Sequence, residues 1–141
     1  MISERDRLFF PSIGFRAETA VKELVNLKEK RNYNELAVKD VYGIVVYCES
    51  SLNREFSITM LGDAYRVLML DDLEELIKNP NREQILRERL NNTKNTRLTL
   101  EKITQGEDIS PEEIDGSINF FKELSKKCRK YMNSYPRILS Q

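Results

Sequence analysis

The sequence predicts an all-α protein, a single-domain bundle of four or five long amphipathic helices. Apolar residues recur every three or four positions along most of the 141 residues, a spacing that places them on one face of a helix. The chain contains only five glycines and four prolines. The prolines fall at the edges of the periodic segments, where helices begin or end.

The first helix is expected over residues 12–31, followed by a turn over residues 32–35. Asn32 and Asn34 favour that turn because asparagine side chains compete for backbone hydrogen bonds. The apolar stripe of the helix consists of Ile13, Ala17, Ala20, Leu24 and Leu27, widened by Val21 and Val25.

Residues 38–54 have two interpretations. A helical stripe runs through Ala37, Val41, Ile44, Val45, Cys48 and Leu52. The run 41–47 is nevertheless rich in β-branched and aromatic residues, which favour strands. A strand there would pair with residues 56–60 as a hairpin at about 41–60, so an α+β fold is the alternative. We favour the helix because the stripe extends beyond the usual length of a strand.

A third helix over residues 57–78 is expected to lie at the centre of the bundle. Its apolar face comprises Ile58, Leu61, Tyr65, Leu68, Met69, Leu73 and Leu76. Asn79 and Pro80 end it, since the residue before a proline is disfavoured in a helical conformation.

The last two helices carry clear end signals. The fourth is expected over residues 82–105, with Gly106 as its C-terminal cap. Residues 91–96 have low helix propensity, so this stretch could be a kink, a loop or a solvated part of the helix. The fifth begins at Ser110-Pro111, with a glutamate at the third helical position. Its stripe comprises Ile114, Ile118, Phe121, Leu124, Cys128, Met132 and Tyr135.

One domain is expected over residues 1–141, with residues 1–11 as a loosely attached N-terminal segment. A cytoplasmic location is expected, because the charged start of the sequence is unlike a signal peptide and no apolar stretch approaches about 18 residues. Cys48 and Cys128 are 80 positions apart and are expected to be buried as free hydrophobes. A disulfide between them is the alternative.

Composition excludes several classes of function. Lys plus Arg number 23 and Asp plus Glu number 23, so net charge does not favour nucleic acid or membrane surfaces. The chain has no histidine, which excludes histidine-based catalytic triads, imidazole general bases and zinc sites with histidine ligands. Its glycines are isolated, so no phosphate-binding loop is predicted.

Asp72 is the candidate functional carboxylate of the third helix. Its neighbours on that face are all apolar: Tyr65, Leu68, Met69 and Leu76. A carboxylate buried among them would need a partner or a raised pKa. A structural pairing with a tyrosine or arginine of another helix, or access to water near the helix end, is the simpler explanation.

A basic stripe on the C-terminal helix is the candidate binding surface. Lys122, Lys126, Arg129 and Lys130 lie within a sector of about 100° at helical pitch. Such a stripe can follow a phosphate backbone or an acidic protein surface. The same charges also complement the macrodipole of a helix that starts acidic and ends basic.

The sequence therefore favours a non-enzymatic protein for macromolecular interaction or assembly, with a protein partner or as a homodimer. No catalytic residue, metal ligand, cofactor or membrane association is predicted. Phe120, at the border of the apolar face of its helix, is expected to belong to an interface patch. Two alternatives stay open: nucleic-acid or acidic-partner binding through the basic stripe, and a carboxylate-metal hydrolase that uses Asp71, Asp72 and Glu75.

Overall fold

The computed structural model describes residues 8–53 and 60–134, and every regular element in them is helical. The helices of these ranges are α1 (Phe9–Lys28), α2 (Glu35–Asp40), α3 (Tyr42–Asn53), α4 (Met60–Met69), α5 (Leu73–Lys78), α6 (Arg82–Gln105) and α7 (Pro111–Ser134). The all-α class is therefore confirmed.

The hairpin alternative is wrong for the part of it that lies within the described residues. Residues 41–53 form a helical turn and helix α3 instead of a strand, while residues 56–59 lie outside the described ranges. Asn34 starts α2, because its side-chain Oδ1 accepts hydrogen bonds from the backbone N–H groups of Leu36 (3.0 Å) and Ala37 (3.3 Å). The helical stripe predicted here is buried at Val41, Ile44, Val45 and Cys48.

Helices α1 and α7 form the most extensive helix pair of the fold and run antiparallel. At one end Phe10 stacks on Tyr131, with ring centroids 5.2 Å apart. At the other end Lys28 Nζ lies 2.6 Å from the Asp115 carboxylate. Between these ends the predicted stripes of both helices are buried: Ile13, Ala17, Ala20 and Leu24 on α1, and Ile114, Ile118, Phe121, Leu124 and Cys128 on α7.

The close approach of α1 to α7 depends on Gly14. A Cβ atom at this position would lie 3.1 Å from Cβ of Cys128. Ala17 follows one turn later and is fully buried. The small side chains on this face of α1 therefore let the two helix axes approach each other closely, which increases the dispersion contacts between their cores.

The single third helix expected over residues 57–78 is wrong within the described residues. Helix α4 ends at Met69, and α5 begins at Leu73. The carbonyl oxygen of Leu68 accepts a hydrogen bond from Lys127 Nζ (2.9 Å), and that of Met69 accepts one from Arg89 Nη1 (3.0 Å). These side-chain bonds take the place of the next backbone bonds of the helix.

The expectation that this third helix lies at the centre of the bundle is also wrong. The most extensive contacts join α1 to α7, whereas α4 packs mainly against α3. The apolar stripe of residues 57–78 still points inward at Tyr65, Leu68, Met69 and Leu76. The periodicity therefore predicted correctly which residues are buried, but it did not show that the helix is interrupted after Met69.

Helix α6 begins and ends where the sequence predicts, and α7 begins where it predicts, while Tyr135 at the end of the predicted stripe lies outside the described residues. Gly106 follows α6 with φ = +72°, the left-handed conformation that glycine tolerates best. At the start of α7, Ser110 Oγ accepts a hydrogen bond from the Glu113 N–H, and the Glu113 carboxylate accepts one from the Ser110 N–H (both 3.1 Å). This is a capping box.

The stretch of low helix propensity within α6 is continuous helix, without a kink or loop. Its threonines are buried, and their hydroxyls donate to the carbonyl oxygens four residues earlier at distances of 2.8–3.0 Å: Thr93 to Arg89, Thr96 to Asn92 and Thr99 to Asn95. These bonds satisfy each hydroxyl inside the helix, so burial does not leave the threonines without partners.

The N-terminal boundary lies earlier than expected. Helix α1 begins at Phe9, and Phe10 is buried against α7, so residues 9–11 belong to the bundle; residues 1–7 lie outside the described ranges. Cys48 and Cys128 are both free and buried. Within the described ranges, none of the helices combines the length and apolar character needed to cross a bilayer.

We expect Gly14→Val to destabilise the protein by about 1–3 kcal/mol, because the added methyl groups overpack the contact with Cys128. Gly43→Val is the matched control, since a Cβ at Gly43 meets nothing within 4 Å, and it should change stability by less than about 0.5 kcal/mol. Urea denaturation measures both. Equal effects of the two substitutions would contradict the close-contact role of Gly14.

Candidate functional site

A groove of about 930 Å³ lies between α6 and α7. It exists because each helix has another partner: α7 packs along α1, and α6 packs against α3. The space between α6 and α7 is therefore not filled by a further helix of the described chain.

The two walls of the groove combine exposed polar side chains with apolar ones. Asn95 and Leu98 stand on the α6 wall, and Leu98 is 39% exposed. Asn119 and Phe120 stand on the α7 wall. The Phe120 ring is held edge-on against the fully buried Phe121, with centroids 5.3 Å apart. Phe120 thus lines a groove, as the interface patch predicted from the sequence would require.

Ser117 lies at the base of the groove and is 1% exposed. Its Oγ has no hydrogen-bond partner among the described residues. A buried hydroxyl without a partner costs free energy, and such groups in folded proteins require an explanation. The neighbouring Thr96, also at the base of the groove, has a satisfied hydroxyl and provides the contrast.

Charged side chains near both ends of the groove form ion pairs. Near the α6–α7 connection, Lys102 Nζ lies 2.8 Å from the Glu113 carboxylate. At the far end, Arg89 of α6 and Lys127 of α7 both bind the turn between α4 and α5. The 13 residue steps from Arg89 to Lys102 correspond to about 20 Å of helix.

Asp72 is not buried on a continuous apolar helix face, and the simpler explanation, pairing with an arginine of another helix and access to water, is the one observed. Helix α4 ends before Asp72, which directly precedes α5, and the Asp72 side chain is 35% exposed. Arg89 donates to both of its oxygens, from Nη1 to Oδ1 at 2.7 Å and from Nη2 to Oδ2 at 2.5 Å. These hydrogen bonds hold the pKa of Asp72 below its ordinary value. The Asp72 carboxylate therefore holds the Arg89 side chain in place at this end of the groove; we call this pairing the clamp.

A second ion-pair network joins α6 to α3, and the sequence analysis missed it. Arg97 Nε lies 2.5 Å from the Glu49 carboxylate, and its Nη1 lies 2.9 Å from that of Glu101. Tyr42 donates its hydroxyl to Glu101 at 2.6 Å. The bonds from Tyr42 and Arg97 lower the pKa of Glu101, and the Glu101 carboxylate raises that of Tyr42. No periodic pattern signals such a pairing across 48 or more positions.

The basic stripe is divided by its neighbours. Arg129 pairs with Glu18, which also accepts a hydrogen bond from Ser125. Lys130 Nζ lies 3.9 Å from the Asp71 carboxylate. Two of the four predicted residues are thus close to carboxylates, which reduces the positive potential of the stripe.

The other two stripe residues lie together. Lys122 and Lys126 line a shallow depression of about 500 Å³ between α1 and α7, beside Val21. Whether this surface binds nucleic acid or an acidic partner stays a prediction. The homodimer expected from the sequence also stays a prediction, and the exposed apolar side chains of Phe15 and Leu36 line neither depression.

The acidic residues proposed for a metal-dependent hydrolase do not form a cluster. Asp71 lies 3.6 Å from Lys127 Nζ, and Asp72 is bound by Arg89. No group of three or more histidine, cysteine, aspartate or glutamate side chains in the described ranges is arranged to hold a metal ion.

The chain matches no model of a known protein family, no curated protein and no solved structure. Neither a relative nor a shared fold therefore assigns an activity to it. A fold alone would not assign one either, because function depends on the geometry and chemistry of a site.

We expect Asp72→Asn to lower the stability of the protein by about 1 kcal/mol at neutral pH, because it removes a partly exposed ion pair. The folded state lowers the pKa of Asp72, so the contribution is complete above the ordinary aspartate value of about 4 and disappears as pH falls below it. Urea denaturation across this range measures the difference. The exposed Glu75, changed to Gln, is the control, and a difference that persists at low pH would contradict the clamp.

Proposed function

We propose that the protein is a non-enzymatic interaction module whose groove between α6 and α7 binds a helical segment of a protein partner. The observation that carries this proposal is the groove itself. It has apolar side chains on both walls at Leu98 and Phe120, and about 20 Å of helix between Arg89 and Lys102. A helix of another protein can place its apolar face in such a groove.

The size of the groove favours a helix of three to four turns. About 20 Å of length corresponds to about 13 helical residues at 1.5 Å per residue. A helix of that length presents anchors at positions i, i+3 or i+4, and i+7 to one face. Leu98 and Phe120 give those anchors apolar surface, while Asn95 and Asn119 on the rims can hydrogen-bond to the polar flanks.

The chemistry of the groove favours binding over catalysis. The charged groups at its ends are engaged in ion pairs: Arg89 with Asp72 and Lys102 with Glu113. The chain has no histidine to activate a hydroxyl. Of the two thiols, Cys128 is buried, and burial raises its pKa to about 12, so it is not a thiolate nucleophile at neutral pH.

The proposal retains the cytoplasmic location expected from the sequence. Two free cysteines agree with a reducing compartment. Nucleic-acid binding and metal-dependent hydrolysis stay alternatives. No observation favours them over the groove, because Arg129 pairs with Glu18 and Asp72 pairs with Arg89.

Gly116→Leu should fill the groove without unfolding the protein. Gly116 lines the α7 wall, and a Cβ there meets nothing within 4 Å, while leucine is the better helix former by about 0.8 kcal/mol. A displayed library of 16-residue helical peptides is selected on the wild-type protein. We expect peptides whose affinity falls about tenfold or more in Gly116→Leu, as occlusion of an anchor site requires.

The matched control is Gly43→Leu, which adds the same side chain on α3, where a Cβ also meets nothing within 4 Å. It should leave peptide affinity unchanged. The proposal is contradicted if the library yields no helical peptide, or if the two leucine variants bind the selected peptides equally well.

A further inference from the structure

We propose that the helix bound in this groove is cationic, with lysine or arginine on the flank that faces α7. This inference rests on the proposed function, and it adds the chemical class of the partner. It follows from which charged groups of the groove are already paired and which are not. Five glutamates and three cationic side chains line the groove, so its lining is net acidic.

All three cations of the lining already have carboxylate partners. Arg89 is bound to Asp72 at 2.7 and 2.5 Å, and Lys102 lies 2.8 Å from Glu113. Lys127 Nζ donates to the Leu68 carbonyl oxygen and lies 3.6 Å from Asp71. Their charge is neutralised at the groove ends, so little positive potential extends toward an incoming partner.

Two glutamates of the α7 wall have no such partner. The side chains of Glu112 and Glu123 make no hydrogen bond or ion pair with any residue in the described ranges, and both are exposed. Eleven residues separate them, which is close to three helical turns, so they stand on one face about 16 Å apart. Gly116 and Asn119 lie between them on the same face and add no charge.

The opposite wall is nearly neutral along the same length. Asn92 and Asn95 provide its exposed polar groups, and Glu101 is held by Tyr42 and Arg97. This difference in charge between the two walls orients the bound helix. Its apolar face enters between Leu98 and Phe120, its cationic flank turns toward Glu112 and Glu123, and its uncharged polar flank turns toward the asparagines.

The same arrangement disfavours acidic guests. A phosphate backbone or an acidic helix would bring its negative charges next to Glu112 and Glu123, and the cations that line the groove already have carboxylate partners. Lys122 and Lys126 lie instead on the side of α7 that meets α1.

The test uses a displayed helical library in which the apolar anchors are fixed and the flanks vary over lysine, glutamine and glutamate. Wild-type protein should enrich lysine over glutamate on one flank, with lysines spaced about eleven positions apart or at intermediate turns. Glu112→Gln combined with Glu123→Gln should abolish that enrichment. A selected lysine-rich peptide should bind the double variant about fivefold more weakly at low salt, and this difference should shrink at high salt.

Glu74→Gln combined with Glu75→Gln is the matched control, because it removes two exposed carboxylates of α5 that lie outside the groove. It should retain the lysine enrichment. Enrichment of glutamate, or lysine enrichment that survives in the Glu112 and Glu123 double variant, overturns the inference.

The outcomes also separate this inference from the proposed function. If the selected peptides no longer bind Gly116→Leu but show no charge preference, the inference of a cationic bound helix is overturned. The groove then remains a helix-binding site. If no peptide is sensitive to Gly116→Leu, both proposals fail. If the wild-type protein is a dimer in light scattering and Gly116→Leu is a monomer, a second copy fills the groove and the cationic guest is overturned.

Discussion

The fold depends on the close antiparallel contact of α1 with α7, which Gly14 permits. That contact buries one face of α7 from Ile114 to Cys128. Helix α6 packs against both α3 and α7, and the groove runs between α6 and α7. The groove is therefore a consequence of how the bundle distributes its partners, and its walls are rigid helices instead of loops.

The turn between α4 and α5 links the bundle to the groove. Arg89 and Lys127 extend from the two groove walls and bind the carbonyl oxygens of Met69 and Leu68. Each charged side chain thereby satisfies a backbone group that the end of α4 leaves open. The side chains that bind the end of α4 therefore also lie at this end of the groove. The pairing of Asp72 with Arg89 stabilises this arrangement further.

The sequence predicted local structure well and tertiary pairing poorly. The capping box at Ser110 and the left-handed Gly106 depend on a few neighbouring residues, so the end of α6 and the start of α7 could be predicted from sequence. The break after Met69 could not, because the side chains that bind the last carbonyl oxygens of α4 come from Arg89 and Lys127, 20 and 59 positions away. The apolar period continues across the break, since burial is maintained there on both sides.

The candidate site was predicted only in part, for the same physical reason. Phe120 stood out at the border of an apolar face, and it does line the groove. The groove itself arises from two helices that each pack elsewhere, which no single periodic pattern encodes. The basic stripe was visible from spacing alone, but spacing could not show that Glu18 would pair with Arg129 from the opposite end of the chain.

The most direct test of the account is an NMR titration of the isotope-labelled protein with a helical peptide selected on it. Binding in the groove predicts that the backbone amide signals of Asn95, Leu98, Gly116 and Phe120 shift together and saturate at the same peptide concentration. Shifts confined to Val21, Lys122 and Lys126, which line the depression between α1 and α7, would contradict it.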